Sequence, residues 1–106
     1  MSDVKLTDNS GAVLAELKSR VGTALNAIGA VAETHAKELT PVRTGRLRNS
    51  IAHTAEDDSV YIGTNVEYAP NVEFGTSRQK AHHMFKKAAT EHSEEYKKIA
   101  KDILGG

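Results

Sequence analysis

Histidine has the widest chemical reach of any side chain near neutral pH, and this chain carries five. Imidazole can hold a transition metal or move a proton. The spacing argues against a metal centre. His82 and His83 are adjacent, so on a regular helix they diverge, and His35 and His92 fall on apolar helix faces. There is no cysteine to supply a thiolate, and no HExxH pair occurs. The histidines read as core or surface residues, and no metal or other cofactor is expected. Nor is a nucleophile framed, because no Gly-x-Ser-x-Gly elbow raises a serine. Gly63-Thr64 and Gly75-Thr76 lack the GxxxxGK[ST] setting of a phosphate cradle. Most carboxylates alternate with lysines in what read as helix surfaces. No catalytic residue is assigned and no enzyme is expected.

The concentrated charge lies in one loop, with Arg43, Arg46 and Arg48 close together and Arg78, Lys80, Lys86 and Lys87 later. Such a loop can grip phosphate, or it can be a solvated or inter-subunit patch. Basic and acidic residues balance at 14 each, and no aromatic interleaves the arginines. The patch is the better reading. Leu47, between Arg46 and Arg48, suits an apolar plug in a docking loop, so Leu47→Asp is expected to spare folding and abolish docking.

These residues need elements to position them. At 106 residues the prior is one domain. The start, Met1-Ser2-Asp3-Val4-Lys5, has no signal-like apolar run and no second-position glycine, and no stretch is long and apolar enough for a bilayer. The class is a soluble protein used inside a cell. Residues 1–9 alternate around Val4 and Leu6, which predicts an extended arm or edge strand, with a cap among Asp8, Asn9 and Ser10. From there Leu14, Leu17, Val21, Leu25, Ile28, Ala32, His35 and Leu39 recur at helical spacing. They predict one helix over 10–40, ended by Pro41. Residues 41–50 read as the basic loop and 51–65 as a β-hairpin turning at Asp57-Asp58-Ser59. Residues 66–83 read as a turn segment, and 84–104 as a C-terminal helix with Phe85, Ala88, Ala89, His92, Tyr96, Ile99, Ala100 and Ile103 on one face. The fold class is α+β, with both helices packed on a small antiparallel sheet.

A helix over 10–39 would be roughly 45 Å long. A compact chain of this size has a radius of gyration near ~13 Å and a diameter of roughly 35 Å. The helix must overhang. With three Tyr, two Phe, no Trp and many alanines, the core is thin. The stripe through Leu14, Leu17, Val21, Leu25 and Ile28 is therefore expected to be an inter-subunit element. Gly22 and Gly29, inside the helix, suit a close approach by a neighbouring element.

The stretch Asn65-Val66-Glu67-Tyr68-Ala69-Pro70-Asn71-Val72-Glu73-Phe74-Gly75-Thr76 repeats a pattern on either side of a proline. It cannot be a paired strand through Pro70. A single helical turn with Pro70 near its start fits better. Gly75 should have positive φ, and Tyr68 and Phe74 should anchor the segment against the sheet or a helix.

Three phrases, in order, resemble a family of small tail-completion or head-tail joining proteins of long-tailed double-stranded DNA bacteriophages. The first is Pro-x-x-Thr-Gly-x-Leu-x-x-Ser-Ile, matched by Pro41, Thr44, Gly45, Leu47, Ser50 and Ile51. The second is Tyr-Ala-x-x-Val-Glu-x-Gly-Thr, matched by Tyr68, Ala69, Val72, Glu73, Gly75 and Thr76. In the third, His83-Met84-Phe85 stands where the family has Pro-Phe-Leu. The resemblance implies a virion protein of the tail or neck, assembled in the host bacterial cytoplasm, without enzymatic activity or cofactor. It implies a homo-oligomeric ring, a hexamer before a dodecamer, at the head-proximal end of the tail. The implied partners are adaptor, tail terminator and tail tube, with DNA passing through the lumen and no membrane. The docking loop would be Thr44, Gly45, Arg46, Leu47 and Arg48. The turn segment would be Tyr68, Pro70, Val72, Glu73, Phe74, Gly75 and Thr76. The alternative class is a small nucleic-acid-binding or regulatory oligomer using the Arg43–Arg48 loop. A second alternative class is a toxin–antitoxin or regulatory homodimer built on the long helix.

Overall fold

No proline precedes Pro41, so nothing in the early sequence forbids a continuous helix. The computed structural model, which describes residues 2–42 and 45–105, has one. Helix α1 runs over Ser2–Leu39, followed by α2 (Arg46–Ser50), β1 (Ala52–Ala55), β2 (Val60–Gly63), α3 (Ala69–Phe74), α4 (Met84–Thr90) and α5 (Ser93–Gly105). The class is α+β, with a two-stranded antiparallel sheet. Helix α1 packs on that sheet, whereas the C-terminal helices α4 and α5 pack mainly on α1 and not, as expected, on the strands.

The arm expected at 1–9 is corrected, because the backbone is helical from Ser2. An edge strand needs a partner ladder for its amides, whereas a helix satisfies them locally. The second half of the expected basic loop is α2, and the expected C-terminal helix is two helices, broken at Glu91 and His92. No glycine or proline marks that break in the sequence. Across it the Tyr96 hydroxyl donates to the Ala88 carbonyl.

The hairpin pairs Ala52 with Gly63, His53 with Ile62, Thr54 with Tyr61 and Ala55 with Val60. Glu56 N–H closes its turn on the Ser59 carbonyl at 2.7 Å. His53, Ala55, Val60 and Ile62 are half-buried, and their strand neighbours face outward. The buried line of α1 is built from small residues, namely Ala24, Gly29, Ala32 and Ala36. At Gly29 an added Cβ would stand 2.6 Å from His53 Cδ2 and 2.7 Å from Val60 Cγ2. The helix and hairpin therefore touch through a missing side chain. Nothing lies within 4 Å of the equivalent point at Gly22. Glu33, one turn beyond Gly29, accepts from His53 Nδ1 and Lys37 Nζ, each at 2.9 Å. The His53 bond, then the Lys37 bond, hold the Glu33 carboxyl below the usual carboxylate range.

Two apolar clusters fill the body. One joins Leu47, Val66, Ala69, Val72 and Met84, with Leu39, Tyr68 and Phe85 against it. The other joins Ala36, Ile51 and Ala88, with Ile62 and Phe85. Thr40 ends α1 inside this body, its hydroxyl donating to the Ala36 carbonyl at 2.6 Å and lying 3.3 Å from Met84 Sδ. The molecule measures 71 × 25 × 21 Å, with a radius of gyration of 18.6 Å. That radius far exceeds the ~13 Å of a compact chain this long, and α1, at about 57 Å, is the reason.

Candidate assembly surface

Two of the three phrases that carry the resemblance meet in one joint. Gly45 opens α2 at φ 82°, ψ −5°, a left-handed conformation that glycine adopts at least cost. This turns the chain so that Leu47 enters the core, where it is 4% exposed. Ser50 donates to the Leu47 carbonyl at 2.7 Å and pairs with the Thr64 hydroxyl beyond β2. Ile51, 2% exposed, then starts the hairpin. The expected docking role of Leu47 is thus corrected, since a core side chain cannot plug a neighbour. Arg43 and Thr44 lie outside the described residues.

Arg46 is held within the chain. Its guanidinium donates to both carboxylate oxygens of Glu67, at 3.1 and 3.0 Å, and lies 5.6 Å over the Tyr68 ring. The hydrogen bonds keep Glu67 below the usual carboxylate range and raise Arg46. The pair is solvent-exposed and salt screens it, so it orients the loop more than it stabilises it. Arg48 is exposed at the end of α2. A cleft of about 490 Å³ between Pro41, Leu47, Tyr68, Val72 and His82 runs beside this pair.

In the second phrase, Pro70 sits in the first turn of α3, where its missing N–H costs nothing. Ala69 and Val72 are buried, and Tyr68 packs on the Leu47 cluster. Phe74 does not anchor the segment as expected. It is 74% exposed, the most exposed of the large apolar residues among those described. Helix α3 has a strong inward side at Ala69, Val72 and Glu73, and Phe74 comes one residue after it. Gly75 has φ 79° and ψ 172°, a region open essentially to glycine alone. Thr76 then closes a tight loop with Gln79, through bonds of 2.8 and 3.3 Å.

Glu73 is the residue whose role the sequence hid. It is 6% exposed, and its carboxylate accepts Phe85 N–H at 2.8 Å and Lys86 N–H at 3.1 Å. Its carbonyl accepts His83 N–H at 3.0 Å. His83, the residue before α4, is left-handed at φ 49° and makes no side-chain cap. Glu73 supplies the cap from another helix, satisfying two amides at the positive end of α4. A buried acid seen from sequence alone looks like a surface acid. The signal that could have flagged it is an acid beside Val72 on the inward side of a short helix. Glu73→Gln removes the charge and offers only one acceptor oxygen. It should destabilise by about 2 kcal/mol, read as a lower midpoint in urea unfolding at unchanged slope.

The helix stripe divides in two. Residues 11–20 are all exposed, with Val13 at 61%, Leu14 at 57% and Leu17 at 52%. Val21, Leu25 and Ile28 are half-buried against the chain's own body. Among the described residues the large apolar side chains available to a neighbour are therefore Val13, Leu14 and Leu17 on α1, with Val42, Tyr61, Phe74 and Leu104 elsewhere. Among the described residues no helix is long and apolar enough to cross a membrane.

In a comparison with known families the chain matches, over residues 5–75, the family described as "Bacteriophage HK97-gp10, putative tail-component". The matched span covers α1 from residue 5 onward, the first phrase of the joint, and the second phrase up to Gly75. No curated protein and no solved structure matches the chain.

Proposed function

Because the chain belongs to the HK97-gp10-like family of bacteriophage tail components, we propose that it is a structural, non-enzymatic virion protein acting in tail completion and head-tail joining. It acts as a homo-oligomeric ring at the head-proximal end of the tail, in contact with neighbouring neck and tail proteins, with DNA passing through the lumen. The observation that carries this reading is the exposed stretch of α1 over residues 11–20. Three large apolar side chains within five positions stand more than half exposed on a helix that has left its own core behind. A lone soluble chain gains nothing from such a surface, and a repeated neighbour covers it.

The variant Leu14→Glu with Leu17→Glu tests it. Both positions are exposed, so the subunit should keep its fold and its unfolding midpoint. Assembly should fail, with light scattering reporting a single-subunit mass and electron microscopy showing tails unjoined to heads. A variant that assembles and joins normally would refute the inter-subunit role of the helix. Tight, strongly salt-dependent DNA binding by a non-assembling wild-type chain would favour the nucleic-acid reading instead.

A further inference from the structure

Two histidines far apart in sequence meet between α1 and the α4–α5 junction. The rings of His35 and His92 stack with centroids 3.5 Å apart and planes 2° from parallel. Each belongs to a His-x-x-Glu pair, His35 with Glu38 and His92 with Glu95. A spacing of three places His35 and Glu38 on one face of α1, and His92 stands just before α5, three residues ahead of Glu95. Glu95 Oε1 lies 2.6 Å from His35 Nε2 and 3.9 Å from His92 Nδ1. Glu38 Oε2 lies 3.9 Å from the other nitrogen, His35 Nδ1. One ligand atom from each of His35, His92 and Glu95 lies within 4.8 Å of the other two. Tyr96 flanks both rings, at 6.5 and 6.4 Å.

We propose that His35, His92 and Glu95 bind a divalent transition-metal cation of the zinc class, and that the ion fastens α5 to α1. Two imidazoles and one carboxylate are a zinc donor set, which leaves a further position for water. Glu38 stands where an outer carboxylate would accept the second N–H of His35 and fix its tautomer. With neutral imidazoles the cluster carries two uncompensated carboxylates, and a dication balances them. Stacked rings must converge to share an ion, so one ring has to turn. The imidazole torsion is broad, and His92 is 33% exposed at its side chain, which leaves room for the turn. The site also lies where a fastener has most to hold, since α5 contributes no fully buried residue to the core. This inference stands apart from the ring assembly.

The test uses the full-length chain stripped with a chelator, titrated with zinc chloride by calorimetry and melted with and without the ion. Wild type should take up about one ion per chain and melt higher with zinc present. His92→Ala and Glu95→Gln should each lose at least about ten-fold in affinity and most of the thermal shift, and Glu38→Gln should lose about ten-fold. His82→Ala should leave both readouts unchanged. Glu95 is half exposed, so its glutamine variant should keep the native circular dichroism and still report if the histidine variant does not fold. Absence of zinc uptake by wild type overturns the site. So does uptake that survives both His92→Ala and Glu95→Gln within two-fold, because other imidazoles would then be the ligands.

Discussion

Leu47→Asp should leave the chain unfolded. At 4% exposure the side chain is surrounded by Val66, Ala69, Val72 and Met84. Removing a buried leucine side chain alone costs about 2–5 kcal/mol. A carboxylate put in its place has no cation among those apolar neighbours and adds the cost of losing its hydration. Together these reach about 5 kcal/mol or more, comparable with the whole stability of a typical small domain. Far-UV circular dichroism should show loss of helix, and the purified chain should aggregate. Arg48→Ala, one position on and exposed, should change stability by less than about 0.5 kcal/mol. A folded Leu47→Asp chain with native dichroism would show that Leu47 is not in the core and would restore its docking role.

Gly75→Val should be nearly as damaging, by a different mechanism. The glycine holds φ 79°, ψ 172°, and forcing a side chain into that region costs about 1–3 kcal/mol. Space adds to strain. A Cβ there would stand 2.8 Å from Ala81 N, 2.9 Å from the Gln79 carbonyl oxygen and 3.1 Å from Ala81 Cα. All three are backbone atoms, and they are fastened. Thr76 and Gln79 bond to each other, His82 N–H reaches the Val72 carbonyl at 2.9 Å, and His83 N–H reaches Glu73. Any retreat pulls Glu73 away from the amides of α4. The expected loss is about 3–5 kcal/mol, or roughly 15–25 °C in melting temperature. Gly22→Ala is the contrasting control. It meets open space in mid-helix and should stabilise by about 0.5–1 kcal/mol. Equal effects at the two glycines would mean that loss of glycine flexibility, and not this geometry, governs position 75.

Features set by short-range chemistry were legible in the sequence. Pro41 ends α1, Asp57-Asp58-Ser59 turns the hairpin, Pro70 starts α3, and Gly75 has the positive φ that the turn needs. What depended on which side of an element faces the core was not legible. Leu47 between two arginines reads as exposed until Gly45 is seen to turn the chain inward. Phe74 reads as an anchor until α3 is seen to bury Glu73 beside it. The break at Glu91 and His92 leaves no mark because it is fixed by tertiary partners, His35 and the Ala88 carbonyl. The helical stripe gave the right spacing, but the same spacing fits a residue packed on its own body, such as Ile28, and one left in solvent, such as Leu14.

The contact at Gly29 sets a length. His53 and Val60 rest where that residue has no side chain. Sliding the hairpin along α1 in either direction would bring a side chain beneath them. Gly29 acts as a detent: it indexes the body to one point on the rod. From there to Gly11 is roughly 27 Å of helix. In the proposed ring every copy would therefore extend the same reach, metered by one residue, and identical reach would let identical subunits close on one another without accumulating error.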